Sequence, residues 1–162
     1  MTHHFDTLAV HAGAAPDPAT GARNVPIYQT TAYVFRDADH AAKLFNLQEV
    51  GYIYSRLTNP TVSALGARVA ALEGGAGAVC YSSGHAAQLM ALFPLMAPGC
   101  NVVASSRLYG GTIQQFSNTI RKFGWSAKFV DTDDLKAVEA AIDENTRAIF
   151  CETIANPGGY VT

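Results

Sequence analysis

The sequence predicts an α/β fold: a mostly parallel sheet with helices on both faces, preceded by an extended N-terminal arm. Two observations predict it. From Asn59 onward, segments with apolar residues at helical spacing alternate with short apolar runs. Those runs are rich in β-branched residues and lack polar alternation, as is typical of strands buried on both faces of a parallel sheet. Alternating helices and strands favour a sheet joined by right-handed crossovers.

Residues 1–59 form the predicted arm. They are rich in Pro, Gly, Thr and Asp, with turn signals in "APDPATGARNVP". The pattern predicts a single short helix there, from Asp39 to Leu47. Because irregular segments of this length are uncommon inside a compact domain, we expect the arm to lie on another surface, such as a neighbouring subunit.

The sheet domain begins with a well-signalled helix, because Asn59 can cap it, Pro60 suits its first turn and Gly74 ends it. Pro94 should kink or end the next helix. The predicted helices cover residues 59–74, 84–96, 111–123 and 133–142, and the predicted strands are AVCY (78–81), NVVAS (101–105), AKFV (127–130) and RAIFCE (147–152). The last three helices are expected to turn inward Leu89, Leu92, Phe93, Met96, Ile113, Phe116, Ile120, Phe123, Leu135, Val138 and Ile142.

Composition excludes several classes of protein. Apolar residues make up 49% and charged residues 15% of the 162 residues, which indicates a globular chain. The net charge is −2 without a basic stripe, so a nucleic-acid partner is not expected. The longest apolar run, "LMALFPLMA", is too short to span a membrane, and the N-terminus does not resemble a secretory signal.

Cysteine and histidine spacing gives no metal signature. Cys80 and Cys151 lie in apolar strand-like runs, and Cys100 completes the set. We expect buried, reduced thiols in a cytoplasmic protein. The five histidines show no ligand spacing, so no metal site is expected.

Ligands of open parallel sheets bind beyond the carboxyl ends of the strands. The residues at those ends are Ser82 to Gly84, Ser105 to Tyr109, Asp131, and Glu152 to Asn156, and we expect them to face one cleft. Ser83, Gly84 and His85 begin a helix, whose free N–H groups favour a phosphate. Ser83 acting only as a helix cap remains the alternative. No complete dinucleotide fingerprint or P-loop occurs.

Other side chains suit the rest of a flat, phosphorylated ligand. Tyr109 in "LYGGT" can stack on a ring, and Asn156 can hydrogen-bond a ring substituent. Tyr54 and Arg56, two residues apart, would point the same way in an extended chain and together suit a phosphate. Each residue also has a purely structural interpretation, as loop, surface or turn chemistry. Together they fit an aromatic phosphate ester such as pyridoxal phosphate.

Five motifs in order carry a resemblance: "YSRLTNPT", "ALEGG", "SSGHAA", "SSRLYGGT" and "ETIANP". They resemble the pyridoxal-phosphate-dependent enzymes of Cys/Met metabolism (trans-sulfuration) over essentially the whole chain. Within that family, the stretches 11–35 and 37–56 are most similar to the O-acetylhomoserine sulfhydrylases. The resemblance implies the type I, aspartate-aminotransferase-like fold, with residues 60–162 as the first part of the large cofactor-binding domain.

The resemblance also implies roles for particular residues. Gly84 and His85, with Ser83, would bind the cofactor phosphate through the helix N-terminus. Tyr109 would stack on the pyridine ring and assist proton transfer, and Asn156 would lie near the 3-oxygen. Two arm residues, Tyr54 and Arg56, would bind the phosphate of the neighbouring subunit's cofactor, with Tyr54 also near its substrate. The expected assembly is a homotetramer of tightly paired dimers.

Three departures from the family accompany the resemblance. His85 stands where relatives often have Met or Gln, and Gly66 stands mid-helix where relatives usually carry Glu. The family's Schiff-base lysine lies further along than Thr162, and none of Lys43, Lys122, Lys128 and Lys136 has its context. We therefore expect about half an active site here, with the remainder of the polypeptide as a partner. We also expect 162 residues not to fold independently, because the sheet would keep an unpaired apolar edge.

The implied activity is γ-replacement on O-acetyl-L-homoserine by sulfide or methanethiol, which gives homocysteine or methionine plus acetate in amino-acid biosynthesis. A cystathionine γ-synthase or a methionine or cystathionine γ-lyase is the alternative within the family. An alternative of another class is a non-catalytic fragment that binds a phosphate or a partner chain.

Overall fold

The computed structural model describes residues 3–162. These residues divide into two compact units, one ending at Cys80 and the other beginning at Tyr81. Within the described part of the chain, every helix is too short or too polar to cross a membrane.

The first unit contains three helices: α1 (Phe5–His11), α2 (Ala38–Phe45) and α3 (Pro60–Glu73). Helix α2 agrees with the prediction to within two residues, and the Asp37 carboxylate caps it by accepting from the His40 N–H. Helix α1 was not predicted. No side chain caps its N-terminus, so the local sequence does not predict it. The helix packs on α3, and this tertiary contact accounts for its formation.

Helix α3 begins and ends as the sequence predicts. The Asn59 side chain accepts from the Thr61 N–H at 2.9 Å, and Gly74 ends the helix at a φ of 66°. Its buried residues are Gly66 and Ala70. A Cβ on Gly66 would lie 3.1 Å from the Ala78 carbonyl oxygen, so the missing side chain allows α3 to approach this segment closely. This close approach explains why a residue without a side chain stands at position 66.

The second unit contains α4 (Gly84–Leu92), α5 (Gly110–Gln114) and α6 (Leu135–Ala141). Helix α4 ends two residues before Pro94, as expected from the proline. The predicted helix over 111–123 is one helical segment in three parts, since α5 continues as a π-helical turn (Gln115–Thr119) and a 3₁₀ turn (Ile120–Phe123).

The sheet has three parallel strands: β1 (Asn101–Ser105), β2 (Ser126–Val130) and β3 (Thr146–Phe150). Their order is β2-β1-β3, and the prediction of a parallel sheet is confirmed. The central strand β1 is buried along its whole length, whereas β2 and β3 are partly exposed. The prediction of a strand at AVCY (78–81) is wrong. A strand needs a hydrogen-bonded partner, and within residues 3–162 this run has none and leaves Val79 exposed.

The core of the second unit lies between the sheet and its helices. Its buried members are Leu92, Val102, Ala104, Leu108, Phe116, Ile120 and Trp125. Four residues expected to face inward are exposed, namely Phe93, Phe123, Leu135 and Ile142. Phe93 and Phe123 pack with Trp125 at the rim of the core. Helix α6 buries no residue, and both Leu135 at its start and Ile142 at its C-cap are exposed.

Polar contacts hold the strands together at the amino end of the sheet. Asp143 accepts from the Lys128 ammonium of β2 at 2.5 Å and from the Asn101 amide of β1 at 2.9 Å. The Thr146 hydroxyl of β3 donates to the Asn101 side chain at 2.8 Å. The Lys128 and Asn101 donors hold the pKa of the Asp143 carboxyl well below its usual range, so this carboxylate stays ionised at neutral pH.

The three cysteines are free thiols, but their burial differs from the prediction. Cys100 is buried, Cys80 is half-buried and Cys151 is exposed. Cys80 lies in the run that forms no strand, and Cys151 follows the last residue of β3, so neither occupies a sheet interior.

Candidate functional site

The loops that follow the three strands meet at the carboxyl edge of the sheet. Arg107, after β1, places Nη2 2.7 Å from Asp131 and Nη1 2.7 Å from Asp133, both after β2. The Tyr109 N–H donates to the carboxylate of Glu152, after β3, at 2.9 Å. These contacts bring together three of the segments that the sequence placed in one cleft, those after β1, β2 and β3. The fourth, Ser82 to Gly84, follows no strand within residues 3–162.

The N-terminus of α4 offers two free hydrogen-bond donors. The Ser83 hydroxyl accepts from the Ala86 N–H at 3.1 Å, and its carbonyl accepts from the Ala87 N–H at 3.0 Å. Among residues 3–162, no acceptor takes the N–H groups of Gly84 and His85. Apart from Gly84 itself, its chain neighbours and the backbone of its own helix, no heavy atom lies within 4 Å of where a Gly84 Cβ would be, so the space is open. A helix end with two free donors and the positive end of its dipole favours an anion. Ser83 therefore caps the helix, which was the alternative to a direct phosphate contact. Its capping leaves the N–H groups of Gly84 and His85 available.

Tyr109 lies beside this helix end. Its ring stacks on the His85 imidazole with centroids 5.8 Å apart and an interplanar angle of 28°. The residue is 48% exposed, so about half of it is available to a ligand. A Cβ on Gly111 would lie 2.6 Å from atoms of both rings, so this glycine permits their approach. The His85 Nε2 is buried and has no hydrogen-bond partner within the described chain.

Asn156 lies on a small hairpin beyond β3. The hairpin is closed by the bridge between Ile154 and Val161 and by the Ala155 N–H, which donates to the Tyr160 carbonyl at 2.7 Å. Asn156 itself is exposed. The Tyr160 ring lies over the Arg107 guanidinium at 4.8 Å, which attaches the hairpin to the loop after β1.

Tyr54 and Arg56 belong to the first unit. The Arg56 guanidinium carbon lies 5.3 Å from the centroid of the Tyr54 ring, so the two side chains share one side as predicted. The predicted reason was wrong, because residues 55–57 form a turn, not an extended strand. Tyr54 is held by a bridge to Ala32, and the groove beside the pair, of about 430 Å³, is lined by apolar residues such as Phe35.

Sequence reasoning missed two groups of supporting residues. Asn59 was recognised only as a helix cap, yet its amide nitrogen also lies 2.9 Å from the Tyr28 carbonyl and 3.0 Å from the Ser55 hydroxyl. Arg107 and Asp133 were not singled out. The available signal was their position, since both follow strands at the edge where the candidate site lies.

Comparison with known proteins decides the family. Residues 6–162 match the profile of the family described as "Cys/Met metabolism PLP-dependent enzyme". The chain belongs to this family. Family membership confirms the resemblance, the type I α/β fold and the pyridoxal phosphate dependence that the motifs implied.

Two curated relatives in the family illustrate the match. The homocysteine synthase of Schizosaccharomyces pombe is 53% identical over 156 residues, which cover 96% of this chain and 36% of the relative. The O-acetyl-L-homoserine sulfhydrylase of Leptospira meyeri is 50% identical over 152 residues, which cover 94% of this chain and 34% of the relative. The chain therefore spans about a third of the length of these relatives.

Solved structures of family members have the same fold. A Campylobacter jejuni protein that contains N'-pyridoxyl-lysine-5'-monophosphate superposes with a TM-score of 0.93 and 46% identity, covering 98% of this chain and 39% of that one. A cystathionine γ-lyase from Lactobacillus plantarum, solved with L-serine, superposes with a TM-score of 0.87 and 35% identity. The match covers 99% of this chain and 39% of that one.

Proposed function

We propose that the protein containing this chain catalyses γ-replacement on O-acetyl-L-homoserine, with sulfide or methanethiol as the incoming nucleophile. The products are homocysteine or methionine, and acetate. The observation that supports this substrate is the 50–53% identity to a homocysteine synthase and an O-acetyl-L-homoserine sulfhydrylase over at least 94% of the chain. The 35% identity to the cystathionine γ-lyase is lower, which favours replacement over elimination.

The residues at the carboxyl edge of the sheet fit pyridoxal phosphate. The free N–H groups of Gly84 and His85 suit its phosphate, and the half-exposed Tyr109 suits its ring. When bound, the cofactor would supply an electron sink for carbanion chemistry at the amino acid. Tyr109 would orient the ring and hold a proton at its phenol oxygen, and the Asn156 amide would donate to the ring's 3-oxygen. Ser83 would contribute by fixing the helix end.

The assembly is part of the proposal. Tyr54 and Arg56 would contact the cofactor phosphate of a neighbouring subunit, with Tyr54 near its substrate, in a dimer of dimers. A pair consisting of a phenol and a guanidinium suits this role, because the guanidinium fork matches phosphate oxygens. The remainder of the polypeptide would supply the Schiff-base lysine. The free thiols are consistent with the cytoplasmic location that we also propose.

An activity panel on the pyridoxal-phosphate-loaded protein tests the reaction. We expect homocysteine formation from O-acetyl-L-homoserine and sulfide to exceed, at least tenfold, the release of 2-oxobutanoate from methionine or cystathionine. The opposite ratio would identify a γ-lyase. Cystathionine formation from cysteine at the higher rate would identify a γ-synthase.

Replacing Arg56 with alanine is expected to weaken cofactor retention. A charge-assisted hydrogen bond contributes about 1.5–3 kcal/mol, so the dissociation constant for pyridoxal phosphate should rise roughly 10- to 150-fold. Equilibrium dialysis of the loaded oligomer measures it. Arg36→Ala is the matched control, because Arg36 is also in the first unit but pairs with Glu49 at 2.9 Å. Equal cofactor affinity in both variants and the parent would rule out the phosphate contact.

A further inference from the structure

Arg107 connects three segments that follow different strands. Its main chain lies in the loop after β1, two residues before Tyr109. Its two terminal nitrogens each lie 2.7 Å from a carboxylate, one from Asp131 and one from Asp133, in the loop after β2. The face of its guanidinium lies against the Tyr160 ring at 4.8 Å, and Tyr160 belongs to the hairpin after β3.

The loop that carries Arg107 and Tyr109 is held from both sides. The Ser105 hydroxyl accepts from the Arg107 N–H at 3.1 Å and lies 3.2 Å from the Thr132 hydroxyl. The Tyr109 N–H donates to Glu152 at 2.9 Å. The Tyr109 backbone is thereby held against the segment after β3, and Arg107 holds the preceding residues against the segment after β2.

The Tyr160 contact extends this arrangement to Asn156. The bridge between Ile154 and Val161 closes the hairpin, and the Ala155 N–H donates to the Tyr160 carbonyl. Tyr160 and Asn156 therefore belong to one short, closed hairpin. Tyr109 and Asn156 are the two side chains proposed to contact the cofactor ring, and Arg107 bridges the segments that carry them.

We propose that Arg107 is a positioning residue that sets the placement of Tyr109 relative to Asn156, and so the geometry of the slot for the cofactor ring. The proposal rests on the cofactor placement given under Proposed function. Arginine suits the task because its planar guanidinium binds two carboxylates in its plane while an aromatic ring covers its face, an arrangement that lysine cannot reproduce. The Arg107 side chain is 34% exposed, and exposed ion pairs add little to stability. Its effect should therefore be seen mainly in local geometry.

The visible circular dichroism of the bound cofactor, divided by the amount of cofactor bound, tests the proposal. The signal depends on the asymmetric surroundings of the ring and needs no turnover. In the complete, pyridoxal-phosphate-loaded protein we expect Arg107→Gln to lower this normalised amplitude at least twofold. Arg107→Lys should restore little of it, and Tyr160→Leu should lower it by a comparable factor. The double variant should lose no more than Arg107→Gln alone, since both changes break the same connection.

Arg121→Gln is the control, because Arg121 is exposed on the 3₁₀ turn and its side chain makes no hydrogen bond with residues 3–162. It should keep the parent amplitude. An Arg107→Gln protein with a lower melting temperature but the parent amplitude per bound cofactor would show a merely structural role and overturn the proposal. Should Arg107→Gln fail to fold, the Arg107→Lys and Tyr160→Leu proteins decide by the same measurement.

The experiments distinguish a wrong substrate assignment from a wrong role for Arg107. A parent protein that shows the visible signal but forms no homocysteine contradicts the proposed substrate and still allows the Arg107 comparison. A parent protein without any visible signal contradicts the cofactor placement, and with it the proposal for Arg107.

Discussion

Replacing Phe116 with alanine is expected to lower the free energy of unfolding by about 3–5 kcal/mol, the usual cost of truncating a buried aromatic residue. Phe116 is 1% exposed, and its ring meets Phe150 edge to face with centroids 5.0 Å apart. It lies in the core with Val102 and Ile120. Because β1 is buried along its length, the cavity has little freedom to collapse. Urea unfolding monitored by far-ultraviolet circular dichroism measures the change.

Phe129→Ala is the matched control, since Phe129 lies on β2 and is 37% exposed. We expect it to cost less than half as much, because less apolar surface leaves the interior. Similar losses in the two variants would contradict the assignment of Phe116 to the centre of the core.

The Phe116→Ala change has a second expected consequence, which concerns the candidate site. Phe116 lies on the helical segment that begins after Tyr109, so its truncation should also loosen cofactor binding.

The parallel sheet was predictable because its strands are signalled by composition and its helices by spacing. Strand β1 is the clearest case, as "NVVAS" is apolar, short and buried on both faces. The run AVCY (78–81) has the same composition and forms no strand within the described chain. Composition therefore identifies segments that are able to pair, while pairing depends on which backbone lies alongside. That partner is a property of the fold, which periodicity in one segment does not contain.

The candidate site was predictable where a local motif creates the chemistry. Ser83 and Gly84 mark the start of α4, and the free N–H groups follow from helix geometry alone. Arg107 was missed because its role depends on three loops meeting, through Asp131, Asp133 and Tyr160. None of these neighbours is near Arg107 in the sequence. Tyr54 and Arg56 show the opposite case, in which the proximity was predicted correctly from a wrong local geometry.

Helix α1 was not predicted because it depends on contact with α3, which is distant in the sequence. Gly13 lies at that contact. Gly13 follows the helix with a φ of +74°, and a Cβ there would lie 2.3 Å from the Ala64 carbonyl oxygen and 2.8 Å from the Arg68 nitrogen. The Arg68 side chain donates to the Ala12 carbonyl at 2.8 Å beside it. The segment after α1 therefore touches the α3 backbone directly, and only glycine permits that distance.

Replacing Gly13 with alanine should accordingly detach α1 from α3. The left-handed conformation costs a non-glycine residue about 1–2 kcal/mol, and forcing a methyl group into backbone contact adds about 1–3 kcal/mol. Hydrogen exchange of the α1 amides, expected to accelerate at least tenfold, measures the detachment. Gly21→Ala separates the two costs, because Gly21 has a φ of +70° but nothing within 4 Å of its Cβ position. It should show only the conformational cost. If the two alanine variants behave alike, close packing against α3 is not what holds the helix, and the conformation of the chain after His11 must do so instead.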